Sequence, residues 1–502
     1  MNREIVFVRT GRFVVVDSID DEVLAALPPI LTFSSKVFLR GKERSEAIRR
    51  GGSPVYTLEN ECFQHDHKGR ITTNYGHAWA MRNALKKMGY EVLMKWDEGV
   101  RQPRRNVFEP RWQNLEGFEF RHRQREFLEA VVKYDIGQFD CCTGFGKSTL
   151  IRECARLLPE AKIDVISFDV SVLRDRLYSD LRTALPSVGI CGGGKKLFGH
   201  RVMCYTASSL KHANGDADIV FFDECHRAGA PGVARDLGRY ELARMFGLSG
   251  SLDMRGDNAD MRVRGIFGPV RMKVGYEEGV AHALVSPIRV IWRSIAGRNP
   301  CGDESDDVRK KRYGYWTNPV RNHLIAEDAL SYGPEVQTMI SVEAFEHALH
   351  LKQFLPDFTL IYGEGLAETV RYGHSLKDRY ESRGLWPAGE PVMSKERKSV
   401  LLRKASLGQL KKFIATRVIR EGVDLPELKV VLRADGGRSR IAANQIPGRA
   451  SRIHVSKEEG IIHDYWDEFD DLYERHSMAR AQAYAANHWK QEGTFSLERR
   501  KG

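Results

Sequence analysis

Twice along this chain, short apolar runs alternate with stretches whose apolar residues fall at helical spacing, and few architectures accept that texture. The first tract begins at Phe118 and holds KIDVISF, HRVMCYT, DIVFFDE and MFGLSGS. The second follows about residue 286 and holds VQTMISV, FTLIYG, FIATRVI, KVVLRAD and GIIHDYW. Val220, Phe221 and Phe222 are consecutive and apolar, as in a parallel strand covered on both faces. The expected fold is α/β, with two parallel-sheet lobes at 114–285 and 286–480. A chain of 502 residues has room for both and for a smaller third domain.

That third domain is expected at 1–113, small and of mixed α+β character. Its opening, IVFVRTGRFVVVDS, reads as a hairpin turning at Thr10-Gly11-Arg12. Met81, Ala84, Leu85 and Met88 are spaced for one helix face, and Gly89 is placed to end that helix. A basic connector, EGVRQPRRNVFEPRWQN, follows. Residues 481–502 are expected to form a basic tail ending in Arg499-Arg500-Lys501. The eight cysteines show no CxxC pair and no Cys/His zinc spacing, which points to free thiols in a reducing compartment. No apolar run nears the roughly 18 residues of a membrane span, and the N-terminus lacks a signal-peptide pattern, so a cytoplasmic protein is expected. The net charge of +11 suits a polyanionic partner without requiring one.

Chemistry concentrates first at Cys141-Cys142-Thr143-Gly144-Phe145-Gly146-Lys147-Ser148-Thr149, followed by a helix on which Ile151, Cys154, Ala155 and Leu158 share a face. Backbone N–H groups at such a turn and helix start point at phosphates. Lys147 can reach the terminal phosphates, and the Ser148 hydroxyl can bind Mg²⁺. The strict GxxxxGK[ST] pattern wants glycine where Cys141 stands. Downstream, Asp223-Glu224-Cys225-His226 follows the apolar strand at once. Asp223 is placed for a second Mg²⁺ contact, and Glu224 to orient and deprotonate a water.

These segments resemble the superfamily 2 helicases over roughly residues 118–470. Cys142 to Ser148 looks like their motif I, whose first residue is a small side chain; Asp223 to His226 matches motif II; and Gly247-Leu248-Ser249-Gly250-Ser251 resembles motif III. Arg121 and Gln124 look like the upstream segment that contacts adenine. Ser171 and Arg174, then Thr206 and Ser208, sit where family members hold the nucleic-acid backbone. In the second lobe, Ala415-Thr416-Arg417 with Glu421-Gly422-Val423-Asp424 is similar to motif V. Gln445-Ile446-Pro447-Gly448-Arg449-Ala450-Ser451-Arg452 fits motif VI, Q-x-x-G-R-x-x-R. The spacing of Arg449 and Arg452 predicts a helix that aims both at one cleft. The resemblance implies RecA-like lobes and a nucleotide site holding ATP and Mg²⁺ through Thr143, Gly144, Gly146, Lys147, Ser148, Thr149, Gly422 and Asp424. Lys147, Asp223, Glu224, Gln445, Arg449 and Arg452 carry its chemistry, and Thr416 contacts nucleic acid.

Within the superfamily, GIFGP at 265–269 is similar to DNA-directed branch-migration and repair members, and the chain departs from the DEAD-box forms of motifs II and III. Phe63, Lys68-Gly69-Arg70-Ile71 and Gly89-Tyr90 resemble the small domain of phage recombination helicases of the UvsW type. The implied function is 3′-to-5′ movement on DNA with unwinding or branch migration of forks and Holliday junctions, by a monomer or weak oligomer. A double-strand translocase of the restriction type and an RNA remodeller stay open as alternatives, while the intact set of Lys147, Asp223, Glu224 and Arg449 argues against an idle nucleic-acid clamp. Arg101, Arg104 and Arg105 are expected to guide duplex to the motor. His65-Asp66-His67 reads as a solvated turn, and the run Lys395, Arg397, Lys398, Arg403, Lys404, like Lys411 and Lys412, suits either an exposed face or DNA.

Overall fold

The computed structural model describes residues 3–18, 20–38, 46, 49, 50, 53, 55–100, 103, 104, 106–168, 173, 177–250, 252, 260–367, 370, 371, 374–419, 423–438 and 446–494. The chain divides into two compact units, one of residues 1–142 with 146–274 and one of residues 275–502 with 143–145.

The first unit opens with a five-stranded sheet. Strands β1 (Arg3–Thr10) and β2 (Phe13–Asp17) pair antiparallel across the two-residue turn Gly11-Arg12. Gly11 sits at φ +64, the left-handed value such a turn needs at its first position. A separate antiparallel ribbon joins β3 (Thr32–Phe38) to β4 (Val55–Glu61). Strands β5 (Phe63–His65), β6 (Ile71–Asn74) and β7 (Tyr90–Trp96) complete the first sheet in the order β5-β6-β2-β1-β7. The helix Ala78–Lys87 buries Met81 and Leu85 beneath it, while Ala84 and Met88 are half-buried, and Gly89 follows at φ +87. This block is tied into the rest of its unit by Arg9. Its guanidinium lies between the rings of Tyr75 and Trp96, at 3.8 and 4.3 Å, and donates to Asp135 at 2.6 Å. A Cβ at Gly76 would fall 2.0 Å from the Arg264 carbonyl oxygen, so the two parts meet backbone to backbone just before GIFGP.

Lobe 1 is an eight-stranded sheet of β8 (Ile136–Cys141), β9 (Ile163–Ser167), β10 (Val188–Gly192), β11 (Lys195–Leu197), β12 (Val202–Thr206), β13 (Ile219–Asp223), β14 (Arg244–Ser249) and β15 (Val270–Val274). Their order is β11-β10-β12-β9-β13-β14-β8-β15, and only β11 runs antiparallel to its neighbour. Every residue from Ile219 to Phe222 is buried, as the apolar run requires. Since the strands are parallel, the loops after β8, β12, β13 and β14 leave the same edge, where α/β sheets place their ligands.

Lobe 2 is a seven-stranded parallel sheet. Its members are β16 (Ile288–Ile295), β17 (Thr338–Ser341), β18 (Thr359–Ile361), β21 (Lys412–Ala415), β22 (Val430–Arg433), β23 (Gly460–Asp467) and β24 (Lys490–Gly493). The intervening β19 (Val370–Arg371) and β20 (His374–Ser375) form a small ribbon of their own. The order is β18-β21-β17-β22-β23-β16-β24. Helices such as Lys147–Leu157 in lobe 1 and Pro319–Leu330, Phe345–Phe354 and Asp471–Ala486 in lobe 2 alternate with the parallel strands, the α/β layering expected from the sequence texture.

Candidate functional site

The phosphate loop bridges β8 and the helix Lys147–Leu157. Ile151, Cys154 and Ala155 on that helix, with Leu158 at its C-cap, are buried, so the predicted face packs on the sheet and fixes the helix N-terminus at its edge. Gly144 and Gly146 hold φ values of +98 and +94, which a side chain would strain, and they let successive N–H groups turn inward. Lys147 Nζ donates to the Cys141 carbonyl at 2.7 Å, folding the ammonium back across the loop. Ser148 and Thr149 are half-buried in the first helical turn, and Thr143 is exposed at the loop tip.

Gln124 and Arg121 press directly on this loop. A Cβ at Gly146 would lie 2.8 Å from both Arg121 Nη2 and Gln124 Nε2, so glycine there is a packing requirement as well as a conformational one. The Gln124 side chain accepts from the Arg121 backbone N–H at 3.1 Å, closing the turn that presents both residues. Arg123 between them adopts φ +56 and is held by Glu126 and by the Lys273 carbonyl.

Asp223 ends β13 and Glu224 follows in the left-handed region at φ +53. That conformation is costly for a non-glycine residue and typical of functional positions. Glu224 Oε2 lies 3.2 Å from His226 Nδ1 and accepts from the Ser249 hydroxyl at 3.3 Å, and His226 and Ser249 are themselves 3.1 Å apart. Desolvation in the cleft works to raise the Glu224 carboxyl, but His226, Lys147 and Ser249 outweigh it and hold it below the usual carboxylate range. Glu224 is thus an anion at neutral pH, aimed by a histidine from its own loop and a serine from β14. A hydroxyl at Ser148 and a carboxylate at Asp223 suit a hard cation such as Mg²⁺, which keeps much of its water and takes one or two protein oxygens.

In lobe 2, Arg452 Nε donates to Asp424 at 3.0 Å, and Arg449 Nη1 donates to the Val423 carbonyl. This pairing of the motif V and motif VI segments has no signal in the spacing of the sequence. The expected helix for Arg449 and Arg452 is corrected: Pro447–Arg449 is one 3₁₀ turn, and Arg452 follows it outside any helix. Pro447 stands at the first position of that turn, where its missing N–H costs nothing, and Gly448 after it disfavours continued α-helix through its entropy. Thr416 follows β21 and is half-buried, with its N–H bonded to Ile361.

The predicted nucleic-acid contacts divide. Thr206 is buried and its hydroxyl is engaged with Ser208 and Ser209, so it shapes the turn and Ser208 is the residue that faces out. Arg104 bonds Asp218 through Nε and Nη2. Arg101, Arg105, Ser171, Arg174, Ser251, Glu421, Gly422 and Gln445 lie outside the described residues. Arg397 and Lys398 of the basic helix pair with Glu390 and Glu364, and Lys411 pairs with Glu427. Asp66 organises its turn by accepting from the Lys68 and Arg70 backbones and the Arg70 side chain. No helix among the described residues is long and apolar enough to cross a membrane.

Residues 387–454 match the family described as the helicase conserved C-terminal domain. A putative helicase of the Sulfolobus islandicus filamentous virus (isolate Iceland/Hveragerdi) is 24% identical over 265 residues, which is 51% of this chain and 43% of that protein. Among solved structures, the chain is similar to T4 UvsW at 16% identity, covering 98% of this chain and 99% of that one with a TM-score of 0.41. It is also similar to a fragment of a putative HsdR subunit of a type I restriction enzyme from Vibrio vulnificus YJ016, at 17% identity, 86% and 79% coverage and a TM-score of 0.48. The helicase match lies within lobe 2, and the chain spans less than half the length of the viral protein it resembles.

Proposed function

We propose that the protein is an ATP-driven motor that tracks 3′ to 5′ along DNA and unwinds or branch-migrates forks and four-way junctions in recombination, repair or replication. The observation that supports this best is the triangle of Glu224, His226 and Ser249 beside Lys147. Glu224 takes the proton of the attacking water, and Ser249 senses its charge from the strand that motif III terminates. Any change at the γ-phosphate is therefore felt on a second element of the sheet, which a simple nucleotide-binding protein has no use for.

In this reading Mg²⁺ is held by Ser148 and Asp223, and it offsets charge on the phosphates. Gln124 and Arg121 receive the base, and Arg449 and Arg452 supply guanidinium charge to the transition state, worth on the order of 10³–10⁵ in rate. Binding and loss of the γ-phosphate shift the balance between two arrangements of the lobes, each with its own grip on the nucleic-acid backbone. The N-terminal block of residues 1–113 selects branched substrates. Its half-buried link through Arg9 and Asp135 lets it act as one body with lobe 1.

ATP turnover measured with single strands, duplex, forked DNA, four-way junctions and RNA tests the reading. Strongest stimulation by forks or junctions, with strand displacement, is expected. Stimulation by RNA above all DNA forms, or triplex displacement without strand separation, would replace it.

A further inference from the structure

Lobe 1 carries a basic hairpin that none of the assigned motifs uses. From Val188 to Ala213 the sequence holds Lys195, Lys196, Arg201 and Lys211 and no acidic residue. Arg201 is spent internally, donating to the carbonyls of Ala155, Leu158 and Ala161. The three lysines are exposed, and among the described residues none has a carboxylate within ion-pair distance.

The hairpin pairs Ile190 with Leu197, Cys191 with Lys196 and Gly192 with Lys195. It closes through Gly193-Gly194 at φ +58 and +81, the double left-handed turn that suits the twist of the strands. Because β10 runs parallel to β12, with Cys191 beside Tyr205, the turn emerges at the same sheet edge as Thr206. The approach is close: a Cβ at Gly192 would lie 2.5 Å from Thr206 Cγ2. Lys195 and Lys196 therefore stand one strand away, across β10, from the strand whose end leads into the segment that presents Ser208 and Lys211. Next along β11 and just past it, Leu197 and Phe198 are 46% and 47% exposed.

Lysines on an edge strand also discourage pairing with other chains. That role asks for no adjoining exposed aromatic and no placement against the Thr206 turn, and both are present here. Exposed cations with an aromatic ring among them are a combination that suits single-stranded nucleic acid.

We propose that this hairpin is a second backbone grip of lobe 1. Lys195 and Lys196 take phosphates of the single strand that passes Ser208 and Lys211, and the Phe198 ring gives a stacking face for a base. The proposal rests on the reading of this chain as a nucleic-acid motor.

The test is the fluorescence anisotropy of a labelled single-stranded oligonucleotide, titrated with full-length protein across a salt series. The double variant Lys195→Ala/Lys196→Ala should bind roughly tenfold more weakly, with the slope of log affinity against log salt reduced by about 1.4, which is 0.7 per lost phosphate. Lys195→Arg/Lys196→Arg should keep the parent slope. Phe198→Ala should weaken binding with the slope intact. Nucleic-acid-independent ATP turnover and melting temperature should stay at parent values in all three. A double variant with the parent's affinity and slope, or a loss seen with duplex but not with single strands, overturns the hairpin while leaving the motor reading in place. A parent that binds neither DNA nor RNA overturns both.

Discussion

Lobe 1 rests the edge that carries its candidate site on phenylalanines, whereas lobe 2 rests the loop after β22 on buried arginines. In lobe 1, Phe127, Phe139, Phe221 and Phe246 stack with centroids 4.2 to 6.5 Å apart. The loops above them are shaped by glycines and backbone bonds. In lobe 2, Arg321 pairs with Asp467 at 2.9 Å and Arg480 with Asp464 at 3.0 Å, all four side chains fully buried. Arg433 pairs with Asp435, and Tyr484 joins the set by donating to Asp464 and accepting from Arg433. These groups hold the backbone after β22: Arg321 donates to the Ala434 carbonyl and Arg480 to that of Gly437. Burial works to lower the Arg480 guanidinium, and Asp464 more than offsets it. One lobe thus fixes its loop by shape and the other by charge, so they should fail differently.

The largest contrast is in chemistry. Lys147→Ala in lobe 1 should abolish ATP turnover and weaken nucleotide binding while leaving nucleic-acid binding largely intact. Arg452→Ala in lobe 2 should lower kcat by about 10³–10⁵ and spare nucleotide affinity. Steady-state kinetics with a fluorescent-nucleotide titration checks both. Normal hydrolysis by the arginine variant would remove lobe 2 from the active site. Next in size is stability. Arg480→Ala leaves Asp464 charged and buried, and should cost about 3–5 kcal/mol by denaturant unfolding. Phe221→Leu in lobe 1 nearly conserves volume and should cost less, about 1–1.5 kcal/mol. Equal losses would mean that lobe 2's charges are better solvated than their burial indicates.

The same contrast decided what the sequence revealed. Lobe 1 was legible because its determinants are local: the apolar run at Val220–Phe222, the glycines of the phosphate loop, and the helix face of Ile151, Cys154 and Ala155 all lie within a few residues of what they build. Lobe 2's support was not, since Arg321 and Asp467 are 146 positions apart and an isolated arginine looks the same in sequence whether solvated or buried. Motif VI drew attention to Arg449 and Arg452, yet a spacing of three is shared by α-helix and by looser turns, and the chain leaves the helical path after Arg449. Thr206, Ser208 and Ser209 were legible as a run of hydroxyls, but only tertiary packing told which of them faces out.

The smallest expected effect is a dependence on pH. His476 lies against this charge-supported core, its Nδ1 3.1 Å from the Tyr315 hydroxyl, with Tyr473 and Arg480 as neighbours. Burial, helped by Arg480, lowers it to about 4. The unfolded histidine titrates near 6.5, so protons favour the unfolded chain between those values. The stability this neutral histidine confers is full above about pH 6.5 and is lost as the pH falls toward 4. At pH 6 the loss is about 0.8 kcal/mol, from an unfolded population already mostly protonated and a folded one scarcely so. His476→Gln, which keeps a hydrogen-bonding partner for Tyr315 without a titrating ring, should shrink the stability difference between pH 7.5 and 6 by that amount. A variant whose pH dependence matches the parent's would show that His476 is solvated when lobe 2 is folded, and that the charge-held lobe admits water where its arginines lie.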